Sequence, residues 1–136
     1  MVWSALNVEA MDYEIAPGAD LQGADLQGKM HRGASLIGAN LKLADLRGTD
    51  FEGSNFSGAD LTEANLEGAH LWMANFSGAN LTEANLRGAI LNSAKLRGAN
   101  LAGANLEEAQ LFRAVADIDT QWPEGFDPEA VGVIFD

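Results

Sequence analysis

Large apolar residues recur at every fifth position through most of this chain. From Leu21 to Leu111 the recurring position appears 19 times, and it holds Leu or Phe in every unit except the one centred on His31. Ala, Ser or Thr stands two residues earlier, except at Lys29, and Asp or Asn usually separates the two. A period of five matches neither an ordinary helix nor an ordinary strand, so the pattern predicts a repeat architecture.

The direction of the side chains predicts the shape of one unit. In an extended chain, residues two apart point the same way, so the small and the large apolar residue both face inward while the Asp or Asn between them faces out. The next inward residue comes three positions later, so the chain must turn a corner first. Each unit is therefore a short strand followed by a two-residue corner, wound around one narrow core.

The glycines indicate how many units form one coil. Twelve of the 15 glycines occupy the last corner position of a unit, and from Gly58 to Gly98 that position alternates between Gly and another residue. The period is thus a multiple of ten. Residues 54–71 and 74–91 are identical at 14 of 18 positions. We therefore expect coils of 20 residues with four sides, about four to five in number, with backbones ~4.8 Å apart.

The motif resembles the A(D/N)LXX pattern of the pentapeptide repeat family, over residues 19 to about 115. This resemblance implies an all-β fold, a right-handed quadrilateral parallel β-helix, or β-solenoid. The chain is then divided into an N-terminal cap at 1–17, the β-solenoid at 18–115 and a C-terminal cap with a short helix at 116–136. Caps are expected because a solenoid otherwise exposes its core and its unpaired backbone at each end.

Bulky residues beyond the repeat predict how the C-terminal end is closed. Trp122 and Phe126 are expected to lie across the last coil. Asp127 followed by Pro128 is typical of a helix start, with Asp as the N-cap and Pro at the first helical position.

The N-terminal segment 1–17 has two readings. One helical face is shared by Trp3, Leu6, Ala10 and Tyr13, which favours a helix. Leu6 and Met11 also fall on the five-residue phase, so a degenerate extra coil remains the alternative.

Not every corner ends in glycine. Glycine is favoured where φ is positive, and residues as bulky as Leu43 and Met73 would be strained there. The sequence therefore predicts negative φ at the seven corners that lack glycine, which end in Leu43, Glu63, Met73, Glu83, Ser93, Glu108 and Arg113.

The net charge of −12 is concentrated at the two ends of the chain. Residues 1–18 contribute −3 and residues 116–136 contribute −6, so the long middle carries only −3.

Cysteine is absent, which excludes disulfides and cysteine metal ligands. No apolar run is long enough for a membrane span, and the first residues lack a basic flank, so we expect a cytoplasmic protein, with a removed targeting segment left open. Four residues spaced 20 apart alternate between positive and negative charge, so they are expected to stack as a surface charge ladder: Arg47, Glu67, Arg87 and Glu107.

The sequence offers no catalytic constellation. A convex rod lacks the pocket that catalysis needs, so no catalytic residue and no cofactor is expected. The column of Asp and Asn is too sparse in oxygen ligands for a calcium site; we expect no metal, and assign these side chains to hydrogen bonds with the corner backbone. His31 beside Lys29 is read as an irregular first coil, with a small polar site as the alternative, and His70 as a solvated residue.

Four large apolar residues occupy outward positions of the repeat. Trp72 and Met73 fill one corner, Ile90 replaces the usual Asp or Asn, and Phe112 stands two coils beyond Trp72. Exposed apolar groups that lie together often mark a contact site, and Trp is a favoured anchor. We predict that these four residues form a protein-contact patch with an exposed Trp72 at its centre, the alternative being that a terminal cap covers them.

The predicted function is that of a structural or interaction module. Its partner is an unidentified protein or a second copy, so the chain acts as a monomer or a homodimer, and its negative charge disfavours direct nucleic-acid binding. The family implies one alternative, a DNA-mimicking modulator of a type II topoisomerase such as gyrase. That role needs a continuous acidic face, which basic residues interrupt here, so no inhibition of supercoiling is expected; inhibition relieved by neutralising Asp45, Asp60 and Glu63 would favour the alternative.

Overall fold

The computed structural model describes residues 13–136, and in them the chain returns over itself every 20 residues. Parallel bridges join the middle residue of each unit to the middle residue of the unit one coil later, from Asp20 with Asn40 to Lys95 with Val115. Four such bridges fall in each coil, as the sequence predicted. Within the described residues no helix is long and apolar enough to cross a membrane. The N-terminal residues Trp3, Leu6 and Met11 lie outside the described part of the chain.

The coils are held together by a ladder of backbone hydrogen bonds. From Leu21 to Leu101 the central residue of each unit donates its N–H to the next coil, as Leu61 does to Asn80 O at 2.7 Å. The last corner residues up to Ser93 do the same, as Glu63 does to Thr82 O at 2.9 Å. From Asn40 on, the middle residues donate back to the previous coil. The side chains of Asp and Asn add the bonds expected of them, each accepting the N–H two residues on, as Asn75 accepts that of Ser77 at 2.9 Å.

The prediction of negative φ at the seven corners without glycine is wrong. All seven residues, from Leu43 to Arg113, have φ between 58° and 62°, close to the 63–72° of the glycines in the other corners. Every corner is a β-turn closed by an N–H donated back three residues, such as that of Ala44 to Leu41 O at 3.1 Å. A turn with positive φ at its third residue is of type II character.

The ladder explains why bulky residues adopt this conformation. The N–H of the third turn residue is itself a ladder donor, so Leu43 N–H must point along the stack to reach Thr62 O at 3.0 Å. A negative φ there would turn that donor away and leave it unpaired. Losing a bond inside a closed ladder costs free energy comparable to the strain of a non-glycine residue at positive φ, so the stacking fixes the corner whatever residue occupies it.

The core is a single column of the inward residues. The central Leu and Phe side chains from Leu36 to Leu101 are almost fully buried, and the small residues between them fill the remaining space. Phe56 stacks on Phe76 with ring centroids 4.9 Å apart, and Phe51 meets Phe56 edge-on at 5.2 Å. Such pairs contribute beyond the burial of their area.

The regular coil ends at a one-residue insertion. Lys95 pairs with Val115, 20 residues on, but Asn100 pairs with Gln121, 21 residues on. The side chain of Asp117 fills the resulting gap by accepting the N–H of Gly98 at 3.0 Å, where a backbone carbonyl would otherwise stand.

The last residues cover the end of the core. Strand β1, Val115–Ala116, pairs in parallel with strand β2, Ile134–Phe135, and a 3₁₀ helix, Glu129–Val131, lies between them in sequence. Trp122 and Phe126 stack at 5.3 Å and pack against the core, as predicted for a cap.

The predicted helix start needs one adjustment. The helix is a single 3₁₀ turn, and Pro128 occupies its N-cap position rather than its first helical position. Asp127 still makes a capping contact, because its carboxylate accepts the N–H of Ala130 at 3.3 Å.

Candidate interaction surface

Trp72 and Met73 point away from the core at one corner of the coil. Leu71, just before them, is buried and sends its N–H to Ile90 O at 2.8 Å, which fixes the start of the corner. Because φ of Met73 is +59°, the two corner side chains are directed outward. Trp72 is 44% exposed and Met73 52% exposed. The predicted exposure of Trp72 is therefore confirmed, and a contact role for this residue requires that exposure.

Ile90 lies beside this corner rather than fully in solvent. It forms parallel bridges with His70 below and Gln110 above, and its side chain is only half-buried. Its carbonyl accepts the N–H of Leu71, so Ile90 lies one coil further along the stack, on the side of the coil that leads into the Trp72 corner.

Phe112 stands apart from the other three residues. Asn92 occupies the same column between Trp72 and Phe112, and its side-chain amide donates to Gln110 Oε1 and accepts the N–H of Phe112. Phe112 is 64% exposed, yet its ring lies against the C-terminal segment, where a Cβ added to Gly132 would come within 2.8 Å of Phe112 Cδ1. Trp72 and Met73 thus share one corner, Ile90 lies one coil further on along the adjoining side, and Asn92 separates Trp72 from Phe112 in their column.

Charged groups border the same face on the side of the first coils. Asp50 accepts Arg32 Nε at 2.8 Å and the backbone N–H of Glu52 at 3.1 Å. Burial raises the pKa of the Asp50 carboxyl, but these hydrogen bonds and the nearby charges of Arg32 and His70 together lower it below its ordinary value. Asp50 is thus an anion tied to its own chain.

His31 occupies a central position of its unit, as the repeat implies. Its ring stacks on Phe51 at 5.6 Å, and its backbone carbonyl accepts the hydroxyl of Ser54 at 2.9 Å. This arrangement is that of a core aromatic residue. Among the described residues, no group of three or more His, Asp or Glu side chains is placed to hold a metal ion.

The predicted charge ladder is stacked as expected, but its ion pairs run elsewhere. Arg47 pairs with Asp45 of its own unit at 2.7 Å, and Arg87 pairs with Glu108 at a corner of the next coil at 2.9 Å. Lys42 lies 3.6 Å from Asp60 on another corner. These contacts neutralise carboxylates that an acidic rod face would have to leave free.

Sequence reasoning passed over several exposed apolar residues, of which Met30 and Ile118 are the most exposed. Met30 takes the middle position of its unit and is 67% exposed, on the same side of the coil as Ile90. The sequence already shows that Met30 replaces the usual Asp or Asn of this outward position, so its exposure could have been predicted. Ile118, 96% exposed, lies in the one-residue insertion, where the repeat has ended and gives no signal.

Parallel coils that stack every 20 residues on a five-residue sequence repeat identify the protein as a solenoid repeat protein. The model of the pentapeptide repeats matches in eight copies, over residues 18–62, 59–98 and 89–115. The chain belongs to the pentapeptide repeat family.

Solved structures of the same family resemble this chain. A pentapeptide repeat protein from Nostoc PCC 7120 is 41% identical with a TM-score of 0.75, over 77% of this chain and 86% of its own. One from the cyanobacterium Cyanothece 51142 is 35% identical with a TM-score of 0.43, over 77% and 88%. One from the Arabidopsis thaliana thylakoid lumen is 31% identical with a TM-score of 0.36, over 71% and 66%. No curated protein matches the chain significantly.

Proposed function

We propose that this protein is a non-enzymatic interaction module, a right-handed quadrilateral β-solenoid that presents a contact patch centred on Trp72. The right hand is supported by the strong general preference of parallel β crossovers. Membership of a repeat family supports the role of a scaffold, since solenoids bind through extended surfaces.

One observation carries the proposal. Trp72 and Met73 are exposed together at a mid-stack corner, while the inward positions on either side of that corner are occupied by the buried Leu71 and Ala74. Exposed aromatic side chains reduce solubility, whereas Trp at the centre of an interface is among the strongest contributors to binding. A contact role accounts for a tryptophan at this place.

The topoisomerase alternative receives less support from the charges. Asp45, Asp60 and Asp50 each lie against a basic side chain of this chain. A surface that imitates the phosphates of DNA would present such carboxylates unpaired. We therefore expect no inhibition of gyrase supercoiling by the protein.

Replacement of Trp72 tests the proposed function. Sedimentation of the purified protein and affinity capture from the native lysate are compared for wild type, Trp72→Ala and Ile37→Ala. Ile37 is the matched control, because it is exposed to a similar degree at a different corner. We expect Trp72→Ala alone to lose self-association or a captured partner. Unchanged behaviour of Trp72→Ala in both measurements would contradict the proposal.

A further inference from the structure

The ladder between coils has one continuous gap. From Leu21 to Leu101, the N–H of every central residue donates to the next coil. The next four ladder donors in sequence, Gly103, Leu106, Glu108 and Leu111, have no hydrogen-bond partner among residues 13–136, although Leu106 and Leu111 are largely buried. Pairing resumes at Arg113, which donates to Gly132 O at 2.9 Å. We call residues 103–111 the open edge.

The open edge also leaves acceptors without partners. In the regular coils, the carbonyl of the small residue accepts an N–H from the next coil, as Ala84 O does from Asn105 at 2.9 Å. Within the described residues, the carbonyls of Ala104 and Ala109 accept no such bond. Around Asn105, the unpaired carbonyl of Ala104 and the unpaired N–H of Leu106 therefore form the two-bond pairing site that an additional strand residue would fill.

The chain that should cover this edge follows a different course. Residues 122–131 lie between the paired positions Gln121 and Gly132 but make their own turns, including Phe126 N–H to Pro123 O at 3.1 Å. Pro123 and Pro128 have no N–H to contribute to a ladder. Trp122 and Phe126 of this segment pack against the end of the core. The segment forms no backbone hydrogen bonds with residues 103–111.

A cleft separates the open edge from this segment. One side is lined by Ala104, Leu106 and Glu107, and the other by Pro123, Glu124 and Phe126. The Asn105 pairing site therefore faces a cleft of mixed character, in which apolar side chains such as Leu106 and Phe126 lie between two glutamates. Glu108, next to the cleft, is held by Arg87 at 2.9 Å, so Glu107 and Glu124 are the charges left to meet a ligand.

We propose that this cleft binds an extended basic peptide, which adds a strand to the open edge. One peptide residue donates its N–H to Ala104 O and accepts the N–H of Leu106, as the residue one coil on does elsewhere in the ladder. Main-chain pairing of this kind provides affinity without a fixed sequence, and the flanking side chains provide selectivity. That residue faces outward, as the Asp and Asn residues of the ladder do, so lysine or arginine there meets Glu107 and Glu124. The residues on either side of it face inward, so a small apolar side chain there lies beside Leu106 and Phe126.

The charge argues against a second copy as the occupant. The chain carries a net charge of −12, of which residues 116–136 next to the cleft contribute −6. A second copy would bring like charge to this end, whereas a basic segment is attracted to it.

Titration of the full chain with a defined peptide tests the proposal. The probe is a terminally blocked heptapeptide that alternates lysine with valine, followed by ¹H–¹⁵N NMR and amide exchange. We expect shifts centred on the open edge and slowed exchange of the Leu106 amide, with no binding of the same peptide carrying glutamate for lysine. Shifts spread over the whole surface, or an unchanged exchange rate at Leu106, would overturn the proposal.

Charge reversal provides the matched control. Glu107→Lys should weaken the peptide about fivefold to tenfold, while Glu67→Lys, in the same column two coils away, should leave the affinity unchanged. If both variants weakened the peptide equally, the binding would reflect only the general attraction of a basic peptide to an acidic protein. That result would overturn the proposal. Trp72→Ala should bind the peptide as wild type does, so this test and that of the proposed function fail independently.

Discussion

At the scale of single residues, the corners show how the fold overrides local preference. Leucine, methionine and glutamate avoid positive φ in isolation, yet Leu43, Met73 and Glu63 adopt it at the same turn position as the glycines. Their ladder N–H bonds hold them there. Each such corner therefore stores a small strain that glycine would relieve.

The strain can be measured by exchanging residues in both directions. Leu43→Gly should stabilise the protein by about 0.5–1 kcal/mol, because the relief at positive φ exceeds the backbone entropy that glycine loses on folding. Gly58→Ala should destabilise it by about 1 kcal/mol, since φ is +66° and no atom lies within 4 Å of the added Cβ. Gly58→Asn should cost less, because Asn tolerates the left-handed region better. Denaturant unfolding checks all three, and a Gly58→Ala variant as stable as wild type would contradict the strain.

At the scale of elements, the C-terminal segment is attached through a side chain. Asp117 accepts the N–H groups of Gly98 and Asp119, both at 3.0 Å, and lies 3.2 Å from the hydroxyl of Thr120. The bond from Gly98 N–H is the main reason that the pKa of Asp117 lies below its ordinary value. The carboxylate thus replaces one rung of the ladder at the insertion.

The attachment should weaken in acid. A carboxyl whose pKa is lowered by folding contributes stability above the unfolded pKa of about 3.9, and that contribution is lost as the pH falls through the folded pKa. Asp117→Asn should lower the Tm at neutral pH and lose less stability than wild type between neutral pH and pH about 3. Asp119→Asn is the control, because its carboxylate accepts no hydrogen bond from the described residues. Parallel pH profiles for wild type and Asp117→Asn would contradict this role.

At the scale of the whole molecule, the repeat predicted most of the architecture. Periodicity reports which side chains are buried, so the coil of 20 residues, the inward Leu and Phe column and the cap formed by Trp122 and Phe126 followed from the sequence. Periodicity does not report φ, which is why the corners at Leu43 and Met73 were misjudged.

The features outside the repeat could not be predicted in the same way. The insertion at Asp117 and the open edge at residues 103–111 arise where the chain stops repeating. Their hydrogen bonds depend on the three-dimensional course of the last residues. The candidate patch was predicted only in part. The repeat identified Trp72, Asn92 and Phe112 as one column, whereas the packing of Phe112 against Gly132 depends on the course of the last residues.

Photo-crosslinking shows whether the Trp72 corner is a contact surface. A benzophenone amino acid is placed at Met73, beside Trp72, and at Ile37 on another corner as the control; both residues are exposed. Irradiation is carried out in the native lysate and with purified protein. We expect a discrete crosslinked species from position 73 that is absent from position 37 and is lost when Trp72→Ala is added. Equal crosslinking from both positions, or a position-73 product that survives Trp72→Ala, would contradict the contact role.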